Sequence, residues 1–208
     1  GVLQIPVNEK KGLTFAKGLR SILRHDPDRI MVGEIRDSET AQIAVQAALT
    51  GHQVFTTVHA NNVFDVIGRF SNMGVDSYSL VAALTGVMAQ RLVRTVCLRC
   101  AETLDPTHDN LQPFTESIAA TTVQGFTLKK ARGCEHCRWT GYKGRAAIAE
   151  TLPIDDEVKD LLVQQAPMSA LKRLAREKGF QSLRESALSL ALRGQTTVDE
   201  INRVAPLQ

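Results

Sequence analysis

The chain has 208 residues, 43% of them hydrophobic, with 25 Lys plus Arg against 22 Asp plus Glu, a formal net charge of +3. That length suits one large domain or two modest ones with a buried core, and so weak a basic excess does not argue for a nucleic-acid surface. The longest nearly uncharged apolar run, Ser79 to Gln90, is too short to cross a bilayer, so no membrane span is expected.

The sequence opens on Gly1 rather than Met, with no charged-then-apolar signal region, and reads as a fragment. Residues 1–12, punctuated by Pro6, Asn8 and Gly12, predict an edge strand and a turn. Thr14 then caps a helix in which Phe15, Leu19, Ile22 and Leu23 recur at helical spacing, ended by Asp26-Pro27. Arg20 and Arg24 share its polar face, either as a solvated basic surface or as a clamp on phosphate oxygens.

The stretch from Asp28 to Asp37, D-R-I-M-V-G-E-I-R-D, is the centre around which the chain is organised. Ile30, Met31 and Val32 form the short apolar run of a buried parallel strand, which ends in Gly33-Glu34. Asp37-Ser38 supplies an N-cap, and Ala41, Ala44, Val45, Ala48 and Leu49 mark one buried face of a helix down to Gly51. Gln53 to Val58 is the next strand, ending at His59. A right-handed βαβ unit therefore places Glu34 and His59 on the same rim, where ligands of open α/β sheets collect. His52, just after Gly51, suits a structural hydrogen bond better.

Asn62 caps a helix from Val63 to about Met73 that bears Arg69, and Asp76 caps another through Gln90, before a strand from Leu92 to Val96. Then the composition changes. Cys97-Leu98-Arg99-Cys100 and Cys134-Glu135-His136-Cys137 are two C-x-x-C pairs. Each pair can bite one metal from a tight knuckle, and two knuckles complete a tetrahedral, all-sulfur zinc site with no position open for water. Two disulfides would need an oxidising compartment, and a thioredoxin-like motif needs only one pair before a helix. Zinc is the favoured reading, structural in role. His108 and His136 are then unneeded as ligands. Ala101 to Arg132, punctuated by Pro106, Pro113 and Gly125, reads as an insertion on this module.

Trp139 and Tyr142, in the turn-rich W-T-G-Y-K-G, are expected to pack over the metal module. A strand from Arg145 to Leu152 leads into four short helices, Asp155 to Gln165, Ser169 to Lys178, Leu183 to Leu192 and Val198 to Val204. Leu161, Leu162, Leu171, Leu174, Leu183, Leu188 and Leu192 are expected to give them a shared core.

The run from Gly12 to Asp37, the T-G-H-Q-V-F-T-T-V-H-A-N-N segment, the A-Q-R-L-V-R run, the tetracysteine and the G-Y-K-G-R turn together resemble the ATPases of bacterial type II secretion and type IV pilus assembly. The resemblance covers nearly the whole chain, and the tetracysteine points to the assembly and secretion branch rather than to retraction motors. It implies an α/β fold with an incomplete RecA-like P-loop NTPase sheet over residues 1–96, an inserted tetracysteine zinc module over 97–144, and a strand with a helical subdomain over 145–208. It further implies that Asp28 to Asp37 is an atypical Walker B box with Gly33 where many P-loop enzymes have Asp. Glu34 would then orient magnesium and the attacking water, and His59 would contact the γ-phosphate of ATP. Arg20, Arg24, Arg36 and Arg69 become candidates for phosphate or inter-subunit contacts. The implied setting is a homo-hexamer on the cytoplasmic side of the bacterial inner membrane, bound to platform proteins of the machine.

One departure stands out: no G-x-x-x-x-G-K-[ST] occurs in the sequence, and the family's aspartate box is missing. Without that phosphate cradle, nucleotide affinity should collapse and the chain alone should not turn over ATP. The alternative to a motor fragment is a zinc-stapled interaction module that binds a membrane platform protein and catalyses nothing.

Overall fold

The computed structural model describes residues 2–104 and 127–206. Its contacts divide the chain into two compact units, one formed by Gly1–Val87 with Leu152–Lys178 and the other by Met88–Thr151 with Gly179–Gln208.

The first unit begins without the expected edge strand: the described residues before Thr14 form only a 3-10 turn, Glu9–Lys11, closed by an isolated bridge between Asn8 and Leu13. Pro6, which lacks an N–H, and Gly12 in the left-handed region (φ 75°) favour that turn over a ladder. Helix α1, Phe15–Ile22, starts where the Thr14 hydroxyl accepts the Lys17 N–H at 3.2 Å. Strand β1, Arg29–Val32, and strand β2, Gln53–Thr56, pair in parallel with Ile30 opposite Val54 and Val32 opposite Thr56. Between them runs α2, Ser38–Leu49, capped by Asp37, whose carboxylate accepts both the backbone N–H and the hydroxyl of Thr40 at 2.8 Å. Such a cap stabilises a helix start by about 1 kcal/mol. The predicted βαβ unit is therefore present, although Leu49, placed on its buried face by periodicity, is exposed, and Ala47 is buried instead.

Helix α3, Asp65–Asn72, starts two residues later than expected, yet Asn62 does cap it: its side-chain oxygen accepts the N–H groups of Phe64 and Asp65 at 2.9 and 3.0 Å. The next segment departs further. Helix α4 covers only Ser77–Ala83, and Gly86–Val96 is strand β3, where a helix through Gln90 was expected. Small, helix-tolerant residues such as Ala82, Ala83 and Ala89 hid the turn, and pairing with a distant strand overrides local propensity. Helices α5, Asp156–Val163, and α6, Met168–Glu177, complete this unit, with α5 packed on α4 and α6.

The second unit holds most of β3, which pairs with β6, Tyr142–Pro153, and the short antiparallel pair β4, Glu102–Leu104, and β5, Leu128–Lys130. Helix α7, Leu183–Leu192, carries a capping box between Ser182 and Glu185, and α8, Val198–Val204, closes the unit. Val93, Ile148, Leu188 and Ile201, all fully buried, form its core. The four C-terminal helices thus fall two and two into separate units, and the single leucine core expected for them is not formed. Leu171 is buried in the first unit and Leu188 in the second. Pro106, His108, Pro113 and Gly125 lie outside the described residues.

Candidate functional site

Parallel pairing makes β1 and β2 finish at the same edge, and two further bonds tie the loops beyond them. The Thr57 hydroxyl donates to the Gly33 carbonyl at 2.7 Å, and the Ile35 N–H donates to the Thr57 carbonyl at 3.0 Å. Glu34 and His59 are thereby brought together, as the sequence suggests: Nε2 of His59 lies 3.6 Å from Oε2 of Glu34. Arg36 joins them, its Nε donating to the same carboxylate oxygen at 2.6 Å. The Glu34 side chain is 25% exposed and that of His59 is 80% exposed, so an acidic group sits part-buried beneath an accessible imidazole. A carboxylate held in this way can take a divalent cation or orient a water molecule once a ligand displaces the guanidinium.

His59 also lines a cleft of about 560 Å³ with Asn61, Phe64, Asp65, Arg69 and Met168, so Arg69 shares a cavity with His59. Arg20 is engaged elsewhere, by Glu39 of α2 at 2.7 Å. Arg24 is exposed and has no polar side-chain contact with Glu34 or His59 among the described residues. Asn61 and Asp65, which line the cleft, carried no signal in the sequence beyond proximity to the strand end. His52 takes the structural role expected of it, with Nδ1 3.0 Å from the Ala47 carbonyl at the end of α2.

The four cysteines of the second unit converge, all sulfurs lying within 4.8 Å of one another and none in a disulfide. The separations Cys97–Cys134, Cys100–Cys137 and Cys134–Cys137 are 3.9, 3.9 and 3.8 Å. A tetrahedral tetrathiolate with bonds of about 2.3 Å has edges of about 3.8 Å, so the residues fit a zinc-sized ion. Backbone N–H groups point at sulfur as they would at thiolate: Gly133 to Cys100 at 3.4 Å, and Cys134 and Gly141 to Cys137 at 3.2 Å. Desolvation pushes the Cys100 thiol up to about 11; at Cys137 desolvation also pushes upward, but the N–H donors of Cys134 and Gly141 together with the Cys134 and Cys100 side chains hold the thiol down to about 6. Gly141 (φ 78°) has no room for a side chain, because a Cβ there would lie 2.7 Å from that of Ala131. The expected aromatic cover is not formed. Trp139 is 75% exposed. Tyr142 lies under the Arg94 guanidinium at 4.1 Å and bonds Thr197 at 2.7 Å instead.

Sequence reading also missed the buried carboxylate of Glu200. Arg94 donates to it through its backbone N–H and guanidinium at 2.6–2.9 Å, and Arg203 does so at 2.6 and 2.9 Å. Burial raises the Glu200 pKa, but the two guanidiniums prevail and hold it down to about 2. Only the i, i+3 spacing of Glu200 and Arg203 hinted at this clamp, since Arg94 lies more than a hundred residues away in sequence.

The profile of the family described as "Type II/IV secretion system protein" matches residues 1–203. The type IV pilus assembly ATPase PilB of Thermus thermophilus is 48% identical over 201 residues, 97% of this chain and 22% of that protein. The type II secretion system protein E of Pseudomonas aeruginosa is 42% identical, covering 98% of this chain and 40% of its own length. The chain thus spans well under half the length of these relatives. Among solved structures, the ATPase DotB of Legionella pneumophila superposes with a TM-score of 0.64 at 24% identity, over 95% of this chain and 44% of that one. The pilus retraction motor PilT with bound ADP gives 0.61 at 24% identity, over 91% of this chain and 43% of that one. At this identity these structural likenesses show the mixed α/β fold alone.

Proposed function

The chain belongs to the type II/IV secretion system protein family, and from that premise we propose that it is the C-terminal part of an ATPase that drives protein export or the assembly of a pilus or pseudopilus. The observation that supports this reading is the meeting of Glu34, Arg36 and His59 at the common end of two parallel strands. In this reading residues 1–96 are the partial RecA-like core, and Glu34 is the acidic group of its Walker B strand. Glu34 would hold a magnesium ion bound with ATP, and that ion would supply charge neutralisation for the transferred phosphoryl group. Glu34 orients the attacking water and takes up its proton. His59 donates a hydrogen bond to the γ-phosphate, and Arg69, across the cleft, offers a guanidinium to phosphate oxygens. Arg36 swings from Glu34 toward the nucleotide. Arg20 and Arg24 are left for contacts between subunits of a homo-hexamer.

Cys97, Cys100, Cys134 and Cys137 would hold zinc as a structural staple with no catalytic part. The parent works at the cytoplasmic face of the inner membrane through platform proteins of the machine. Among the described residues no helix is long and apolar enough to cross a membrane.

A P-loop has to be supplied from outside these 208 residues, because none occurs in them. The test is steady-state phosphate release from purified protein. The chain alone is expected to stay at background, and the same chain joined to a P-loop segment is expected to turn over ATP. Turnover by the chain alone would overturn the division of the site, and inactivity of the joined protein would overturn the ATPase reading.

A further inference from the structure

Strand β3 ends at Val96, directly before Cys97, and strand β6 begins at Tyr142, directly after Gly141. Cys97 and Cys137 are the two buried cysteines, and both are tied to this junction. The Cys97 N–H donates to the Gly141 carbonyl at 2.9 Å, and the Gly141 N–H points at the Cys137 sulfur at 3.2 Å. The Tyr142 N–H donates to Thr140 Oγ1 at 3.2 Å, and the Thr140 hydroxyl donates to the Cys137 carbonyl at 2.7 Å. The backbone from Thr140 to Tyr142 is therefore the joint at which the two cysteine pairs are aligned. Metal–ligand distances hold to within about 0.2 Å, so whatever fixes this joint fixes the site.

The side chain of Tyr142 is anchored in a second network that contains no cysteine. Its hydroxyl shares a hydrogen bond with the Thr197 hydroxyl at 2.7 Å, and its ring lies 4.1 Å beneath the Arg94 guanidinium. Both partners are fixed in turn by Glu200. Thr197 caps α8 by accepting the Glu200 N–H at 3.2 Å, and Arg94 is held by the buried Glu200 carboxylate through its backbone N–H and its guanidinium. Two further bonds stitch the loop before α8 to the end of β3. The Thr196 hydroxyl donates to the Arg94 carbonyl at 2.8 Å, and the Val96 N–H donates to the Gln195 carbonyl at 3.0 Å. Buried ion pairs repay their desolvation poorly as stabilisers, but they fix geometry, because a guanidinium fork meets a carboxylate in few arrangements.

We propose that Tyr142 is a positioning residue for the metal of the tetracysteine site, held in place by the Arg94–Glu200 pair, so that metal affinity and the carboxylate clamp are coupled. The metal would fix the joint from the side of the sulfurs, and the clamp fixes it from the side of α8. A joint already set loses less freedom when an ion binds, and outer residues of this kind govern metal affinity by about 10–100-fold. The coupling is reciprocal: whatever the clamp adds to metal affinity, the metal adds to the stability of the clamp. The inference rests on the zinc reading of the four cysteines and is independent of the Glu34–His59 rim.

The test is a competition titration of the full, zinc-loaded chain with a chromogenic chelator. Tyr142→Leu, which removes ring and hydroxyl, is expected to weaken zinc binding by roughly tenfold, and Glu200→Gln by roughly threefold to tenfold. Tyr142→Phe keeps the ring under Arg94 and should fall between Tyr142→Leu and the unsubstituted chain. Ile148→Val, which removes one methylene from the core of the same unit, is the control: it should lower the melting temperature and leave zinc affinity unchanged. A tenfold change corresponds to about 1.4 kcal/mol, so Tyr142→Leu should destabilise the zinc-loaded chain against urea by that much more than the zinc-free chain. Cobalt in place of zinc gives a second readout, because its absorption spectrum follows the geometry of its ligands; it should change in Tyr142→Leu and not in Ile148→Val. Unchanged zinc affinity in Glu200→Gln and in either Tyr142 variant, or an equal loss in Ile148→Val, would overturn the proposal and leave the zinc reading intact. No zinc bound by the unsubstituted chain would overturn both.

Discussion

Glu34 and His59 belong to loops after different strands, yet the imidazole Nε2 comes within 3.6 Å of the carboxylate. The contact exists because β1 and β2 run parallel in register and their ends are tied through Thr57 and Gly33. If His59 senses the γ-phosphate, His59→Ala in the ATPase-competent parent should lower kcat by about 10²-fold while changing ADP affinity little, since ADP lacks that group. Paired measurements of kcat and the ADP dissociation constant check this.

The tie itself is testable. Thr57→Val removes the hydroxyl that donates to the Gly33 carbonyl at 2.7 Å and keeps the branched shape. The expected cost is about 1 kcal/mol, read as a lower urea midpoint at unchanged slope. A drop in kcat in the parent that exceeds this loss of stability would show that the tie also positions Glu34.

Glu200 gives the second unit a pH signature. Its carboxyl titrates near pH 2 when folded and near 4.5 when free, so its contribution to stability is complete above about pH 4.5 and disappears as the pH falls toward 2. Glu200→Gln is expected to destabilise by about 2–3 kcal/mol at neutral pH, below the cost of breaking a fully buried pair because both guanidiniums stay half exposed. Urea unfolding of the two proteins should give curves that differ most at neutral pH and approach one another in strong acid.

For the tetracysteine module, metal analysis of the reduced protein should return one zinc per chain, and chelation should lower the melting temperature. Gly141→Ala would force a Cβ to within 2.7 Å of the Ala131 side chain at φ 78° and disturb the N–H that points at the Cys137 sulfur. It is expected to lower zinc affinity by at least about tenfold, as loss of support around a metal ligand does. A competition titration with a chromogenic chelator measures that affinity.

Much of the fold was legible in the sequence because it depends on local chemistry. Thr14, Asp37, Asn62 and Asp76 all cap helix starts, and apolar runs bounded by Gly and His gave the βαβ unit and hence the meeting of Glu34 with His59. The cysteine spacing showed which sulfurs converge. The features that stayed hidden depend on distant partners. The first half of strand β3, Gly86 to Gln90, reads as helix because its pairing with β6 is invisible to periodicity, whereas Leu92 to Val96 reads as the strand it is. Glu200 looks like an ordinary surface residue until Arg94 of β3 closes on it. The exposure of Trp139 could not be foreseen either, since it depends on a left-handed backbone packed against Gly133.

The central claim is that Glu34 is the carboxylate on which ATP hydrolysis depends. The most direct measurement is steady-state phosphate release by the P-loop-containing parent with Glu34→Gln, a substitution that keeps size and removes charge. The account predicts a fall in kcat of about 10²–10³-fold with ATP still bound, as expected for loss of a group that acts on the attacking water. A kcat within about twofold of the unsubstituted protein, a change of only some 0.4 kcal/mol in the barrier, would contradict it.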